Sequence, residues 1–533
     1  MWSQTYAPVA GSLQLSALVA VLPVFVVLIL LGVFRKPSWM AAIAGFATSA
    51  VISVAVYHMP FMLAAGAALY GAANGLLPIG WIVFTAILLY RVTVDTGKFD
   101  IIKNSLGGIT QDRSVQVLLV AFAFGGFIEG AAGFGTPVAI AAAMLVGLGF
   151  RPFLAASVCL LANTAPVAFG SIGTPLIMLQ GVTKLPMDAL SADVGRLCAP
   201  IALILPSYLM LVMGGLPALR AALPAAIVCG VTFGGVQFLI SSYLGPNLAG
   251  LLSAIAAMGA LLLLLRFWTP PGDENRKGSG HSASEVFVAW SPYLLLVIFV
   301  LLWGSATTKA ILDRTTIAFG WPGLHNLIMR MPPITKAPSP YDATYRFAWL
   351  SASGTSCLFA VFASALVLRV SPVRLAQLTW ATAKQLALPL LTIASVVALA
   401  FIMNYSGQTA TLGLVVAATG AAFPFFSTLL GWLGVFLTGS DTSANALFGT
   451  LQVVTANQLG LNPVLMASAN SAGGVLGKMI SLQSIAVAAA ATGMARTEES
   501  NLLRFTLKHS IFLTVLLGCL ALFYAYVVPG WVR

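Results

Sequence analysis

The chain of 533 residues is 59% hydrophobic and only 8% charged. Charged residues make up about a quarter of ordinary soluble domains, so this composition excludes a water-soluble globular fold. The formal net charge of +12 comes from Lys and Arg that stand singly or in pairs between apolar stretches, which indicates membrane topology signals and not a nucleic-acid-binding face. Apolar stretches long enough to cross a bilayer recur from end to end, and they predict an all-α polytopic membrane protein with about 12 spans.

The first apolar stretch, Leu13 to Phe34, comes before the first basic residues, Arg35 and Lys36. A secretory signal peptide carries its positive charge ahead of the apolar stretch. We therefore expect residues 1–35 to form a retained extra span. The positive-inside rule then places Arg35 and Lys36 in the cytoplasm and the N-terminus outside.

The chain resembles itself at a distance of roughly 310 residues, which indicates an internal duplication. We interpret residues 36–215 and 346–533 as the two copies. The paired anchors are Trp39 and Trp349, Pro60 and Pro372, Pro78 and Pro389, Gly97 and Gly407, Phe127 and Phe436, Gly130 and Gly439, Asn163 and Asn470, Gly170 and Gly477, and Arg196 and Arg504.

Residues 216–345 connect the two copies. Three apolar stretches, Ala221 to Tyr243, Leu248 to Arg266 and Glu285 to Trp303, supply an odd number of spans, so the second copy has the opposite orientation. An inverted repeat is a common plan of secondary transporters. The polar segment Thr269 to Ser284 is then a cytoplasmic loop, Gly304 to Tyr345 is an external one, and the C-terminus lies outside.

Two stretches, Phe61 to Leu76 and Val373 to Leu386, precede the paired Pro78 and Pro389. Each stretch either lies in the membrane interface before the chain turns into the bilayer or begins one long tilted helix.

Two glycine- and hydroxyl-rich segments interrupt the apolar sequence at matching positions. Phe127 to Pro137 contains several glycines and Glu129, and Phe436 to Asn445 is rich in hydroxyls. We predict re-entrant hairpins over 115–150 and 422–461, with tips that face each other in mid-bilayer. Unwound backbone at that depth is tolerated only in protein or around a water-filled cavity, so such tips are typical of a substrate site.

Each hairpin is followed by a second interruption, at Asn163 to Pro175 and at Asn470 to Ser484. These segments predict broken helices, whose N-termini would converge with the hairpin tips on a carboxylate. The alternative is that the small residues only allow close helix packing or a kink. The candidate substrate-binding residues are Gly130, Ala131, Gly133, Asn163, Thr164, Thr438, Gly439, Ser440, Thr442, Ser443, Asn470, Ser471 and Lys478.

Glu129, Asp441 and Lys478 are the ionisable residues most clearly inside apolar sequence. Each costs about 2.5–3.5 kcal/mol at the bilayer centre unless it is paired, protonated or hydrated. We expect Lys478 to pair with Asp441 when the site is empty and with a substrate carboxylate when it is loaded, and Glu129 or Asp441 to carry a proton. The alternatives are a static Asp441–Lys478 ion pair and a hydrated Glu129.

The sequence predicts no enzyme activity, no cofactor and no metal site. The segment Ala472 to Met479 is similar to a phosphate-binding loop, but Ala472 replaces its first glycine and Met479 its hydroxyl residue. The five cysteines stand far apart with no metal-ligand spacing.

Four segments resemble signature stretches of the bacterial lactate permease family: Glu129 to Gly135, Asn163 to Gly170, Asn404 to Gly407 and Phe436 to Thr442. The resemblance implies proton symport of L-lactate, and often D-lactate and glycolate, across the bacterial inner membrane. It also implies kinship with carriers whose hairpins move as an elevator. Leu482 stands where the family's proline is expected, which leaves the geometry of the second break open.

The expected partners are thus a small monocarboxylate anion, a proton and the lipid bilayer, without nucleic acid and with homo-oligomerisation left open. The competing interpretations are a sodium-coupled carboxylate symporter and a monocarboxylate channel. The glycine-rich segments favour the channel among these two.

Overall fold

The computed structural model describes residues 1–107, 109–133, 136–270, 281–495 and 498–533. Within these ranges, 11 helices are long and apolar enough to cross a membrane, or 12 if the bent pair Pro152–Ala162 and Val167–Thr183 is one span. The two members of that pair meet at 64°. The prediction of a mostly helical polytopic membrane protein is confirmed.

Eleven α-helices lie before residue 187 in the described part of the chain. They are α1 (Leu13–Ala20), α2 (Leu22–Gly32), α3 (Ser38–Ala55), α4 (Phe61–Asn74), α5 (Trp81–Asp95), α6 (Lys98–Gly107), α7 (Arg113–Gln116), α8 (Gly125–Ala131), α9 (Thr136–Gly147), α10 (Pro152–Ala162) and α11 (Gly170–Thr183).

The connecting region holds α12 (Met187–Tyr243), α13 (Ala249–Phe267) and α14 (Ala283–Gly304). The backbone of α12 leaves the helical conformation at Gly214 and Gly215, where Gly215 has φ +68°. Glycine adopts this conformation at little cost, so the chain turns there between two spans. Most of the predicted loop Thr269 to Ser284 lies outside the described residues.

The helices after the connecting region begin and end at residues that favour helix termini. Prolines occupy the first turn of several helices and left-handed glycines follow their last turn, as helix ends prefer. The helices are α15 (Ala306–Leu312), α16 (Ser353–Val367), α17 (Pro372–Ser406), α18 (Gln408–Val416), α19 (Phe423–Thr438), α20 (Asp441–Leu459), α21 (Pro463–Lys478), α22 (Leu482–Thr492) and α23 (Glu499–Tyr526).

The two ambiguous stretches of the sequence have different structures. In the second copy, α17 is a continuous helix of 35 residues that contains Pro389, as the long-helix alternative predicts. In the first copy, the backbone is non-helical at Leu77, between α4 and α5.

Short strands tie the N-terminus to the segment that we expected to be an external loop. Strand β1 (Trp2–Ser3) pairs in parallel with β3 (Ile328–Arg330), and β3 pairs antiparallel with β4 (Ser339–Pro340). Strand β2 (Ile317–Gly320) pairs antiparallel with β5 (Thr344–Phe347). These strands of two to four residues were not predicted, because they are too short to give a recognisable pattern in the sequence.

The termini and the 304–345 segment lie on one face. Gln458 Nε2 donates to the carbonyl of Pro333 at 3.0 Å, and Asn462 Nδ2 donates to the carbonyl of Arg533 at 3.0 Å. Asp95, at the end of α5, forms an ion pair with Arg374 at the start of α17, so the corresponding ends of these two helices lie together.

Helices α19 and α21 pack with their backbones in contact. A methyl group on Gly431 would lie 1.8 Å from the carbonyl oxygen of Asn470, and one on Gly473 would lie 2.0 Å from the carbonyl oxygen of Thr428. Glycines at both positions therefore allow this approach. The packing fixes the second hairpin against the second broken helix.

Candidate functional site

The first predicted hairpin consists of α7, its continuation into α8, and α9. Glu129 lies near the end of α8 and is 4% exposed. The chain leaves the helix at Ala132, and Gly133 has φ +60°. Phe134 and Gly135, which belong to the predicted tip, lie outside the described residues.

The second predicted hairpin consists of α19 and α20, and its tip is a single tight turn. Gly439 follows Thr438 with φ +72°, and Ser440 caps α20 by accepting the N–H of Ser443 at 3.3 Å. Asp441 stands in the first turn of α20 and is 3% exposed. The tip thus presents hydroxyls and the positive end of a helix dipole, which favour an anion.

Both predicted second interruptions are breaks in the helical backbone. In the first, Ser171, Ile172 and Gly173 all have positive φ. In the second, α21 ends at Lys478, and Ser481 caps the new helix α22 by accepting the N–H of Ser484 at 3.2 Å. Leu482 is the first residue of α22, a position that tolerates proline but does not require it, so the break exists without the family's proline.

A cavity of about 290 Å³ lies between Glu129 of the first hairpin, the tip of the second hairpin and the two breaks. Residues from both predicted copies surround it, including the start of α3 and the middle of α17. The wall consists of Ser38, Trp39, Glu129, Val167, Gly170, Ser171, Thr174, Pro175, Leu388, Pro389, Thr392, Ile393, Thr438, Gly439, Ser440, Asp441, Thr442, Ser443, Lys478, Gln483, Ser484 and Val487.

Eight of the residues proposed from the sequence line this cavity: Glu129, Thr438, Gly439, Ser440, Asp441, Thr442, Ser443 and Lys478. The other seven lie behind the wall. They are Gly130, Ala131, Gly133, Asn163, Thr164, Asn470 and Ser471.

The residues behind the wall have packing or supporting contacts. A methyl group on Gly130 would lie 2.7 Å from the backbone nitrogen of Leu251 in α13, so Gly130 allows a close helix contact. Thr164 donates to the carbonyl of Leu161 at 2.7 Å. Asn163 Nδ2 donates to Glu129 Oε2 at 3.2 Å, so it supports a residue of the wall.

The ammonium of Lys478 donates to the carbonyl oxygen of Gly439 at 2.7 Å. No carboxylate of the described chain lies within 4.0 Å of it. The expected Asp441–Lys478 ion pair is therefore not formed in this conformation, because the carbonyl at the hairpin tip holds the lysine. The charge of Lys478 still acts on both Glu129 and Asp441.

The first predicted copy has a matching contact. Ser171 follows Gly170 as Lys478 follows Gly477, and Ser171 Oγ donates to the carbonyl of Ala132 at 2.8 Å. In each copy, the residue after the paired glycine of the break thus holds a carbonyl at the tip of the preceding hairpin.

The two carboxylates differ in their neighbours. Glu129 accepts from Asn163, and a methyl group on Gly170 would lie 2.7 Å from Glu129 Oε1. Asp441 Oδ2 accepts from Ser471 Oγ at 2.8 Å, whereas Oδ1 has no hydrogen-bond partner among the described residues. A buried carboxylate oxygen without a donor is costly when charged, which suits a group that binds a proton.

The L-lactate permease family model matches residues 16–528. The chain belongs to the L-lactate permease family. It is 44% identical to the L-lactate permease of Bacillus subtilis (strain 168) over 99% of both chains. It is 43% identical to the glycolate permease GlcA of Escherichia coli (strain K12) over 99% of both chains.

A third relative is the L-lactate permease of Escherichia coli (strain K12), at 42% identity over 99% of this chain and 98% of the relative. Among solved structures, the chain is similar to the YdaH transporter of Alcanivorax borkumensis, with 16% identity and a TM-score of 0.47 over 87% of this chain and 88% of that one. This likeness is too weak to carry an argument about the fold.

The sequence analysis missed the part of the wall that α3 and α17 supply. Trp39 and Pro389 were identified as repeat anchors but not as wall residues. Ser171, Thr174, Gln483 and Ser484 belong to the segments that were identified as breaks, so their position in those segments was the available signal.

Proposed function

We propose that the chain is a secondary active transporter that carries L-lactate, and the related 2-hydroxy monocarboxylates D-lactate and glycolate, together with a proton across the bacterial inner membrane. The relatives named for L-lactate and glycolate transport support the substrate class. The family is one of permeases, which supports transport as the function.

The observation that carries the proposal is the position of Lys478. Its ammonium lies in a cavity with hydroxyls, the N-terminus of α20 and a neutral carbonyl partner. A substrate carboxylate is a stronger partner for an ammonium than a neutral carbonyl is. An incoming anion therefore takes the lysine from Gly439, and the hydroxyls of the tip, which line the same cavity, are available to bind its remaining oxygens.

Proton coupling follows from the charges. Moving a lone anion into a cell that is negative inside costs about 2.3 kcal/mol per 100 mV, and a co-transported proton cancels this cost. The cavity wall has two buried carboxylates and one lysine. Asp441 is the better proton carrier, since its Oδ1 has no donor among the described residues.

We also propose that residues 36–215 and 346–533 are inverted repeats that move substrate by an elevator motion. Residues 1–35 are then an extra span before the first repeat, and residues 216–345 connect the two repeats. The matched contacts of Ser171 and Lys478 support the duplication. The shared face of both termini and the 304–345 segment supports an external location for all three. Ser38 and Trp39 line the cavity and stand just after Arg35 and Lys36 in the sequence, which supports a cavity that faces the cytoplasm.

The test is uptake of labelled L-lactate by the purified protein in proteoliposomes. We expect saturable uptake that an acidic exterior drives, that D-lactate and glycolate inhibit, and that a sodium gradient does not drive. Uptake that follows sodium and ignores the pH gradient would establish a sodium symporter instead. Non-saturable current without proton movement would establish a channel.

A further inference from the structure

Four buried side chains form a chain of hydrogen bonds that ends on Asp441. Gln452 Nε2 donates to Asn470 Oδ1 at 3.0 Å, and Asn470 Nδ2 donates to Asn445 Oδ1 at 2.9 Å. Asn445 Nδ2 donates to Ser471 Oγ at 3.0 Å, and Ser471 Oγ donates to Asp441 Oδ2 at 2.8 Å. All four donors are 0% exposed, and none of them lines the cavity.

The direction of this chain is fixed by two backbone carbonyls, which only accept hydrogen bonds. Asn445 Nδ2 also donates to the carbonyl of Pro175 at 3.1 Å, and Gln452 Nε2 also donates to the carbonyl of Ser427 at 3.4 Å. Reversing either amide would place two oxygens against each other. The orientations of the Asn445 and Gln452 amides are therefore determined by these two carbonyls.

Because every donor points towards Asp441, the bonds polarise one another and strengthen the last one. The chain thus favours the charged form of Asp441. It also holds the carboxylate in one place, since each member is fixed by at least two partners.

Asn445 has a second consequence, because its amide joins the two copies. Pro175 belongs to the first broken helix and lines the cavity, whereas Asn445 belongs to the second hairpin. The Asn445 NH₂ group therefore binds both Ser471, which supports Asp441, and the carbonyl of Pro175 in the cavity wall.

We propose that the chain from Gln452 through Asn470, Asn445 and Ser471 positions Asp441 and sets how tightly it binds the transported proton, with Asn445 as the junction to the first copy. This proposal rests on the proposed function, in which Asp441 carries the proton. It assigns Asn470 and Ser471, which the sequence analysis treated as substrate-binding residues, to a supporting role. The other ionisable groups that act on Asp441 are Lys478 and Glu129, which also line the cavity, and the charge of Asp441 in turn acts on the neutral thiol of Cys198 on α12.

The test is the pH dependence of lactate counterflow in proteoliposomes with equal pH on both sides. If transport needs the proton-bound carrier, the rate falls as pH rises through a midpoint. Asn445→Ala removes the donors that favour the charged form, so the proton binds more tightly and the midpoint moves to higher pH, by about half to one unit for one hydrogen bond. Asn445→Asp adds negative charge beside Ser471, and we expect a larger shift in the same direction.

Gln452→Leu removes only the far end of the chain, and we expect a smaller shift in the same direction. Asn457→Ala is the matched control, because Asn457 is exposed on the same helix, and its midpoint should equal that of the unaltered protein. A purely structural role would lower the rate at every pH without moving the midpoint. If the Asn445 variants cannot be extracted as folded protein, the Gln452 variant decides.

The outcomes separate this inference from the proposed function. Unmoved midpoints in folded variants, with normal pH-driven uptake by the unaltered protein, would overturn the inference alone. Absence of any pH-driven uptake by the unaltered protein would instead overturn the proposed function.

Discussion

Replacing Lys478 by methionine removes the ammonium and keeps a long, unbranched side chain. In the empty site the ammonium donates to the carbonyl of Gly439 at 2.7 Å, and it must give up this bond to bind a substrate carboxylate. A hydrogen bond to a charged group contributes about 1.5–3 kcal/mol. The bond between the ammonium and the neutral Gly439 carbonyl contributes an amount at the low end of that range or below it. The variant therefore loses about 1–2 kcal/mol of substrate-binding free energy, which corresponds to a five- to thirtyfold rise in half-saturation concentration.

The assay is initial uptake of labelled L-lactate against concentration, with the pH gradient held constant. Lys508→Met is the matched control, because Lys508 is exposed on α23 and should keep the unaltered half-saturation concentration. An unaltered value in the Lys478 variant, with the folded protein recovered in normal amount, would show that this lysine does not bind substrate.

Three further substitutions test the carboxylate and the packing of the site. In Asp441→Asn, we expect that a pH gradient of one unit gives no accumulation of lactate, while lactate exchange continues. The unaltered protein should accumulate lactate about tenfold under the same gradient. Concentrative lactate uptake by the variant would show that Asp441 is not on the proton path. Gly474→Ala places a methyl group 2.2 Å from Asp441 Oδ1, and the displaced carboxylate should lower pH-driven uptake by about tenfold or more; normal uptake would show that the position of the carboxylate is not critical. In Gly431→Ala, the added methyl group overlaps the Asn470 carbonyl and should lower the free energy of unfolding by about 1–3 kcal/mol. The control is Gly235→Ala, which should be neutral or stabilising because no atom lies within 4 Å of its added methyl group. Equal temperatures of thermal unfolding in detergent for the two variants would contradict the backbone contact between α19 and α21.

Local sequence signals were sufficient for the spans and for the interruptions. Gly439 and the hydroxyls around it mark a turn that leaves the helix and starts a new one, and the structure has that turn at the expected residues. Glu129, Asp441 and Lys478 could be grouped because each is costly in apolar surroundings unless it has a shared polar site.

Long-range contacts could not be predicted in the same way. Whether Lys478 meets Asp441 or Gly439 depends on how the second tip lies against the second break, and both partners are within two residues of each other in the sequence. The direction of the chain behind Asp441 depends on the Pro175 carbonyl from the other copy. Pro78 and Pro389 are paired anchors, yet only Pro389 lies in an unbroken helix, so a proline alone does not predict where a helix breaks.

The most direct test of the central claim is the simultaneous measurement of lactate and proton uptake by proteoliposomes, with a label for lactate and a pH-sensitive dye for protons. A cavity that takes one carboxylate on Lys478 and one proton on a neighbouring carboxylate predicts equal fluxes of the two and no effect of an imposed potassium diffusion potential on the lactate rate. Lactate uptake without proton uptake, or a rate that follows the membrane potential, would contradict the account.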